Sequence, residues 1–376
     1  MRIGIDARPL SNEYLGGIGT YLYKILSNAD ECCSSDMEIY LYSNREIRFK
    51  PRASRVRIVE RVTPGKPSVL WLRYRVPHLI ARDQIDVFWG PNHVLPLKAG
   101  RTKLVITIHD LALLINGKWG NSVIDTLVQK TLTSRSAKSA DAILADSKST
   151  RNDLEVLLGI ESSKIKCVYC GVDDPGELED GFSKSYLSKH GIAERFFLYY
   201  GDLNLRKNVD TIISAFDLYC SHADSSAQLV LAGGNKLEKY EQYLSGVSPT
   251  CRGRIVCPGY ISEDEKVALL KESIALVFPS RYEGFGIPVV EAMRCNTLVI
   301  TSSCSSLPEV AGDSAYFLEN VDDPNELAGL MDKVSHVLGD ERATRASRGN
   351  GHSQRFSWKR CAQETFELLR EIGGTR

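Results

Sequence analysis

Short β-branched and aromatic runs alternate with helix-length amphipathic stretches along nearly all of this 376-residue chain, and few architectures accommodate that order. Strands are expected at 2–5, 38–42, 57–59, 87–89, 104–108 and 142–145, with helices near 19–27, 123–139 and 148–158. A second series begins at 196–200. Its strands are expected at 228–232, 254–257, 275–278 and 298–301, and its helices at 211–219, 238–244, 262–271 and 289–294. Such alternation is the signature of right-handed βαβ units, hence of parallel sheets covered by helices on both faces. The expectation is an α/β protein of two Rossmann-like, doubly wound domains facing across a cleft. They would occupy 1–170 and 192–352, with a polar connection at 171–191 and a last helix at 353–376 whose Trp358, Cys361, Phe366 and Leu369 require burial.

Composition excludes several classes. Hydrophobic residues at 43% and charged residues at 25% leave enough apolar surface for packed cores, against disordered or collagen-like readings. No apolar run reaches the ~18 residues of a spanning helix, and Met1-Arg2-Ile3-Gly4-Ile5-Asp6 places charges where a signal peptide needs its apolar core, so a cytoplasmic protein is expected. Ten cysteines in such a chain read as reduced core residues, the Cys167/Cys170 spacing lacking a second pair for zinc. The net charge is zero, yet residues 1–170 carry 25 Lys+Arg against 17 Asp+Glu. Residues 45–82 hold 11 of those cations, Arg73 and Arg75 among them, interleaved with Trp71, Tyr74 and the apolar pair Val69-Leu70. That segment is either a crowded solvated face or an attraction for polyanions and anionic membrane surfaces.

Open α/β sheets bind ligands beyond the carboxyl ends of their strands, so chemistry is to be sought in the residues just past each strand end. After the first comes Leu15-Gly16-Gly17-Ile18-Gly19-Thr20-Tyr21, a tight turn or an approach of backbone N–H groups to an anion. It is not the dinucleotide fingerprint, since Leu22 stands where the third glycine belongs, and no Walker lysine motif occurs. The strand at 104–108 ends in His109-Asp110, a capping pair or a polar contact for a ligand. In the second series Gly201 is followed by Arg206-Lys207-Asn208, a guanidinium fork beside a point charge, suited to a diphosphate unless solvated on an open helix. Finally, Ser280-Arg281-Tyr282-Glu283-Gly284-Phe285-Gly286-Ile287-Pro288-Val289-Val290-Glu291 joins a strand end to a helix. It offers two carboxylates for sugar hydroxyls and the backbone N–H groups of Phe285, Gly286 and Ile287.

The Glu283-x7-Glu291 pattern in this setting resembles the signature of retaining glycosyltransferases of family 4, which have the GT-B fold. Gly16–Tyr21, His109-Asp110-Leu111, Gly171-Val172-Asp173, Arg206-Lys207-Asn208, Ala232-Gly233-Gly234, Pro258-Gly259-Tyr260 and Pro308-Glu309-Val310 match that family's layout in order, over nearly the whole chain. The resemblance implies that Arg206 and Lys207 bind the donor diphosphate, Glu291 the ribose, and Glu283 the transferred sugar near its reacting carbon. It further implies phosphate and loop contacts from Gly17, Gly19, Gly201 and Gly233. His109 would face the sugar, and Tyr260 and Ile261 would lie near the base. It places the last helix back on the first domain. Tyr169-Cys170 and Asp202-Leu203-Asn204 depart from the family's usual residues.

With no Asp-x-Asp pair to clamp a diphosphate, metal-independent transfer with retention is expected, without a cofactor. The opening Ile5-Asp6-Ala7-Arg8-Pro9-Leu10 and the stretch Trp89–Leu97 look most like bacterial mannosyltransferases of O-antigen and polysaccharide assembly, which use GDP-mannose. UDP- and dTDP-sugars, an epimerase of the same fold and a non-catalytic nucleotide-binding module are the alternatives. A lipid-diphosphate-linked saccharide at the inner membrane face is the expected acceptor, met by Trp71, Arg73, Arg75, Asn92 and His93. No nucleic-acid partner is expected.

Overall fold

The computed structural model describes residues 1–34, 36–51, 56–65, 68–98, 100–120, 122–222, 226–234, 241 and 243–374. Most of the helix expected at 238–244, and residues 52–55 and 66–67 of the basic segment, lie outside them. The chain divides into two compact units, Met1–Gly171 with Phe356–Arg376, and Val172–Arg355.

The first unit is built on a parallel seven-stranded sheet, ordered β3-β2-β1-β4-β5-β6-β7. Its strands are β1 (Arg2–Asp6), β2 (Glu38–Ser43), β3 (Arg57–Val62), β4 (Val87–Gly90), β5 (Lys103–Ile108), β6 (Ala142–Ala145) and β7 (Ile165–Cys167). The second contains a parallel six-stranded sheet, ordered β10-β9-β8-β11-β12-β13. These are β8 (Phe196–Tyr200), β9 (Gln228–Ala232), β10 (Ile255–Gly259), β11 (Ala275–Phe278), β12 (Leu298–Ser302) and β13 (Tyr316–Leu318). The central strands read as continuous apolar runs because helices cover both faces, and β8 and β11 are buried at every position. The strand order reverses between β1 and β4 and between β8 and β11, where each sheet is expected to receive a ligand.

Among the flanking helices are α1 (Gly17–Ser27), α2 (Val123–Ser139), α3 (Glu263–Glu272), α4 (Ile287–Arg294) and α5 (Trp358–Gly374). In α1 Tyr21, Leu22, Ile25 and Leu26 recur at helical spacing and form the buried stripe. A capping box between Ser262 and Glu265 starts α3. In α5 the stripe Trp358, Cys361, Ala362, Thr365, Phe366 and Leu369 is buried. That helix packs within the first unit, where Gly171 lets its start approach. A Cβ on Gly171 would sit 2.1 Å from the Trp358 backbone nitrogen.

Three parts of the sequence reading require correction. Residues 172–191 belong to the second unit and include a helix, Phe182–Lys189, rather than forming a free connection. The closing segment of the first unit begins at Phe356, not 353. Residues 68–82, within the basic segment, are helical, with a π-type turn at Trp71–Arg75. Trp71 belongs to the core there, 5% exposed, and its indole N–H donates to Thr63 Oγ1 at 3.2 Å, so it offers no platform to an acceptor. Tyr74 and Arg75 face out and Arg73 is half-buried.

Candidate active site

At the carboxyl ends of β8–β11 three loops are tied together. Gly201 N–H donates to the Ala232 carbonyl at 3.1 Å and Gly233 N–H to the Gly259 carbonyl at 2.7 Å. Leu205–Lys207 forms a short 3-10 turn rather than the start of a helix, and Asn208, in the left-handed region at φ 62°, ends it. The buried Asn208 amide donates to the carbonyls of Pro279 (3.0 Å) and Val321 (2.6 Å), fastening this turn to the β11 loop.

That fastening carries two cations to Glu283. Lys207 Nζ lies 2.7 Å from Oε1 and Arg206 Nη1 3.1 Å from Oε2, while Arg206 Nη1 also donates to the Tyr282 carbonyl at 2.7 Å. Burial works against ionising the Glu283 carboxyl, but Lys207 and Arg206 outweigh it and hold its pKa below the ordinary glutamate value. Its backbone is equally constrained. Ser305 Oγ accepts from Glu283 N–H at 2.8 Å, and Ser306 Oγ bridges the carbonyls of Glu283 (3.0 Å) and Phe285 (2.8 Å). Gly286, at φ +104°, caps α4, Pro288 occupies its first turn, and the Val289 N–H donates to the Gly286 carbonyl at 3.0 Å.

Glu291, one turn into α4, accepts from Tyr200 Oη at 2.5 Å and from Lys266 Nζ at 2.6 Å. Burial lowers the pKa of Lys266, yet the carboxylates of Glu291 and Glu263 raise it overall, so the ammonium is permanent. Burial, reinforced by Glu291, pushes the Tyr200 phenol well above 10, keeping it a donor. Tyr260 stands 77% exposed beyond β10, and Ile261 is half-buried beside it.

In the first unit, Gly17 opens α1 with free space where a side chain would project, whereas Gly19 is packed against Leu15 and the Pro9 carbonyl. Both line a cavity of about 380 Å³ with Asp6, Arg8, Asn12 and Arg45. Asp6 pins the Arg8 guanidinium through contacts of 2.8 and 2.7 Å.

His109 at the end of β5 is enclosed. Its Nδ1 meets Asp146 Oδ2 at 2.6 Å and its Nε2 the Pro91 carbonyl at 2.9 Å. Facing two acceptors, both ring nitrogens donate, so the ring is an imidazolium. Burial opposes this, and Asp146 prevails, raising the pKa above 6.5. The His109 backbone N–H donates to His93 Nε2 at 3.2 Å, which requires a neutral His93, and burial lowers that ring to about 4. Asn92 accepts from the His93 N–H at 2.8 Å. His93 and Asn92 are thus engaged with their neighbours in the first unit.

The structure brings Arg206, Lys207 and Glu283 into one cluster and Phe285, Gly286, Ile287 and Glu291 onto the adjoining loop and helix. Sequence reasoning missed Tyr200, Lys266, Ser305, Ser306 and Asp146, and gave Asn208 a place in a motif without its anchoring role. Tyr200 ends a strand and Lys266 lies one residue past a capping box, but nothing in their spacing points to Glu291. No group of three or more His, Cys, Asp or Glu side chains suited to a metal ion occurs among the described residues.

Two parallel-sheet units with these loops at their strand ends have the GT-B fold. Residues 15–174 match the family described as Glycosyltransferase Family 4, and residues 184–349 that described as Glycosyl transferases group 1. These two matches, one in each unit, together with relatives named as O-antigen mannosyltransferases, support a GT-B glycosyltransferase of family 4 rather than an epimerase.

O-antigen chain mannosyltransferase B of Escherichia coli is 29% identical over 298 residues, covering 77% of this chain and 75% of that protein. O-antigen chain mannosyltransferase RfbU of Salmonella typhimurium is 25% identical, covering 80% and 77%. The serotype-specific mannosyltransferase WbdA of Escherichia coli is 30% identical across 61% of this chain, which spans only 28% of it. Among solved structures, Anabaena HepE in complex with UDP-glucose superposes with a TM-score of 0.74 at 16% identity, covering 99% of this chain and 100% of that one. WaaG, a glycosyltransferase of lipopolysaccharide biosynthesis, does so with 0.73 at 14% identity, covering 98% and 99%.

Proposed function

We propose that this enzyme transfers mannose from GDP-mannose, with retention, to a hydroxyl of a lipid-linked saccharide in cell-surface polysaccharide assembly. The observation that carries the reading is the Arg206–Lys207–Glu283 cluster beside Glu291, in a chain whose relatives are O-antigen mannosyltransferases. The donor diphosphate would draw on the two cations now shared with Glu283, and its departure needs that charge most in the transition state. Glu291, oriented by Tyr200 and Lys266, would accept from the ribose hydroxyls, and Glu283 would hold the sugar.

In the transfer the anomeric carbon–oxygen bond to the diphosphate breaks with its electron pair leaving on the diphosphate. The acceptor oxygen bonds the same face of that carbon, and its proton passes to the departing diphosphate oxygen. No metal or cofactor is required in this scheme. A UDP-sugar donor is the second reading, favoured by the UDP-glucose complex of HepE. A thermal-shift series with GDP, UDP, dTDP and ADP sugars separates them, because a ligand that binds the folded state raises its stability. Stabilisation by GDP-mannose alone, followed by α-mannosyl product on a lipid-diphosphate saccharide, supports the proposal. Stabilisation by UDP-sugars alone overturns the donor, and none by any nucleotide overturns the reading.

A further inference from the structure

The turn Leu205–Lys207, which carries both cations of the Glu283 cluster, is a short 3-10 segment, and such a segment closes too few hydrogen bonds to fix its own shape. Asn208 fastens its end. Its middle is held by Arg281, from the loop after β11. The Arg281 backbone N–H donates to the Arg206 carbonyl at 2.9 Å, and its Nη1 donates to the Leu205 carbonyl.

The same guanidinium spreads to two acids. Nη1 and Nη2 engage the two oxygens of Asp210 at 3.2 and 3.0 Å, and Nε meets Asp322 Oδ1 at 2.6 Å. Asp210 lies in the first turn of the helix Val209–His222, and Asp322 in the loop after β13. One side chain thereby joins the turn, the helix that follows it and two loops at the strand ends. The rigid fork of a guanidinium serves partners in these several directions at once, which the single ammonium of lysine does not.

Charge gives Arg281 a second task. Asp210 follows Lys207 by three residues and Arg206 by four, so a free carboxylate there would compete with an anionic ligand for both cations. With both its oxygens on Arg281 it is occupied, while Arg206 and Lys207 make their ion pairs with Glu283 at 3.1 and 2.7 Å.

We infer that Arg281 is a positioning residue for the diphosphate-binding cations: it fixes the Leu205–Lys207 turn and withholds Asp210 from Arg206 and Lys207, leaving both to Glu283 and the donor diphosphate. This role rests on the reading that Arg206 and Lys207 bind that diphosphate.

The test is calorimetric titration of the full chain with GDP and GMP, and with UDP and UMP in parallel, since the members of each pair differ by one phosphate. The wild type should bind the diphosphate of its donor about tenfold or more tighter than the monophosphate. Arg281→Gln should cost the diphosphate about tenfold and the monophosphate less than about twofold. Arg281→Gln/Asp210→Asn should recover much of that loss, because the released carboxylate is gone. Arg281→Lys keeps the test open should the glutamine variant fold poorly, with an expected loss of about threefold confined to the diphosphate. Equal losses for diphosphate and monophosphate, a lowered melting temperature with their ratio unchanged, or no recovery in the double variant overturns the role of Arg281 and leaves the diphosphate reading standing. A wild type that binds none of the four nucleotides, or binds diphosphate and monophosphate alike, overturns that reading and the role of Arg281 with it.

Discussion

Glu283 is a buried carboxylate satisfied by Lys207 and Arg206, with its backbone held by Ser305 and Ser306, so losing its charge and losing a partner differ. Glu283→Gln keeps the shape and removes the charge. Turnover should fall by about 10²–10³ while the nucleotide still stabilises the protein, as kcat and thermal shift together report. Lys207→Ala leaves the carboxylate with Arg206 alone, and urea unfolding of the second unit should show a loss of about 1–3 kcal/mol. The histidines of the first unit carry opposite pH signatures. The extra stability from charged His109 is complete below its ordinary value near 6.5 and is lost as pH rises through its raised folded value. Neutral His93 contributes above about 6.5, and that contribution is lost as pH falls towards 4. The urea midpoint of this unit should therefore peak near pH 6.5, and His109→Gln should remove the alkaline decline while the acid one persists.

At the scale of the element, α4 works because its start is forced. Gly286 adopts φ +104°, and a Cβ there would stand 2.8 Å from Leu307 Cδ2. Gly286→Ala should cost about 1–3 kcal/mol in the second unit and weaken nucleotide binding as the loop shifts. Helices α3 and α4 meet through Lys266 and Glu291, a contact set by packing rather than by either helix's own pattern. Lys266→Met should raise KM for the donor roughly tenfold with kcat little changed, because it frees Glu291 without touching the reacting carbon. An equal fall in kcat would assign Lys266 a part in the transition state instead.

Across the whole molecule, the chain returns to its first unit for its last helix, so the first unit is complete only when α5 has docked. Trp358 is buried with its ring edge-on to Tyr21 at 6.2 Å, and Gly171 leaves room for the Trp358 backbone. Trp358→Ala should destabilise the first unit by about 3–5 kcal/mol, and Gly171→Ala should reproduce much of that by steric exclusion alone. Two units of separate sheet imply separable transitions, so the check is calorimetric: one transition moves and the other stays. A shift of both together would mean that the units unfold as one.

The sequence by itself determined the alternation of strands and helices in the middle of each sheet, because parallel strands buried on both faces must be apolar throughout and their covering helices amphipathic. It also singled out Glu283, Arg206 and Lys207, which the structure brings together at the strand ends, and Glu291, one turn into the helix that follows. The edge strands β7 and β13 are short, and both fell outside the expected elements, as did the helices Phe182–Lys189, Pro324–Ser335 and Gly339–Ser353, their local signal weak beside the polar residues around them. Only the tertiary structure decided that Trp71 is core, that His109 is enclosed by Asp146 and Pro91, and that Tyr200 and Lys266 hold Glu291. Those contacts join residues 18 to 91 positions apart, and α2 shows the same limit in reverse, its apolar residues turned outward. Periodicity states which side chains share a face; the packing of the other elements decides which face is turned inward.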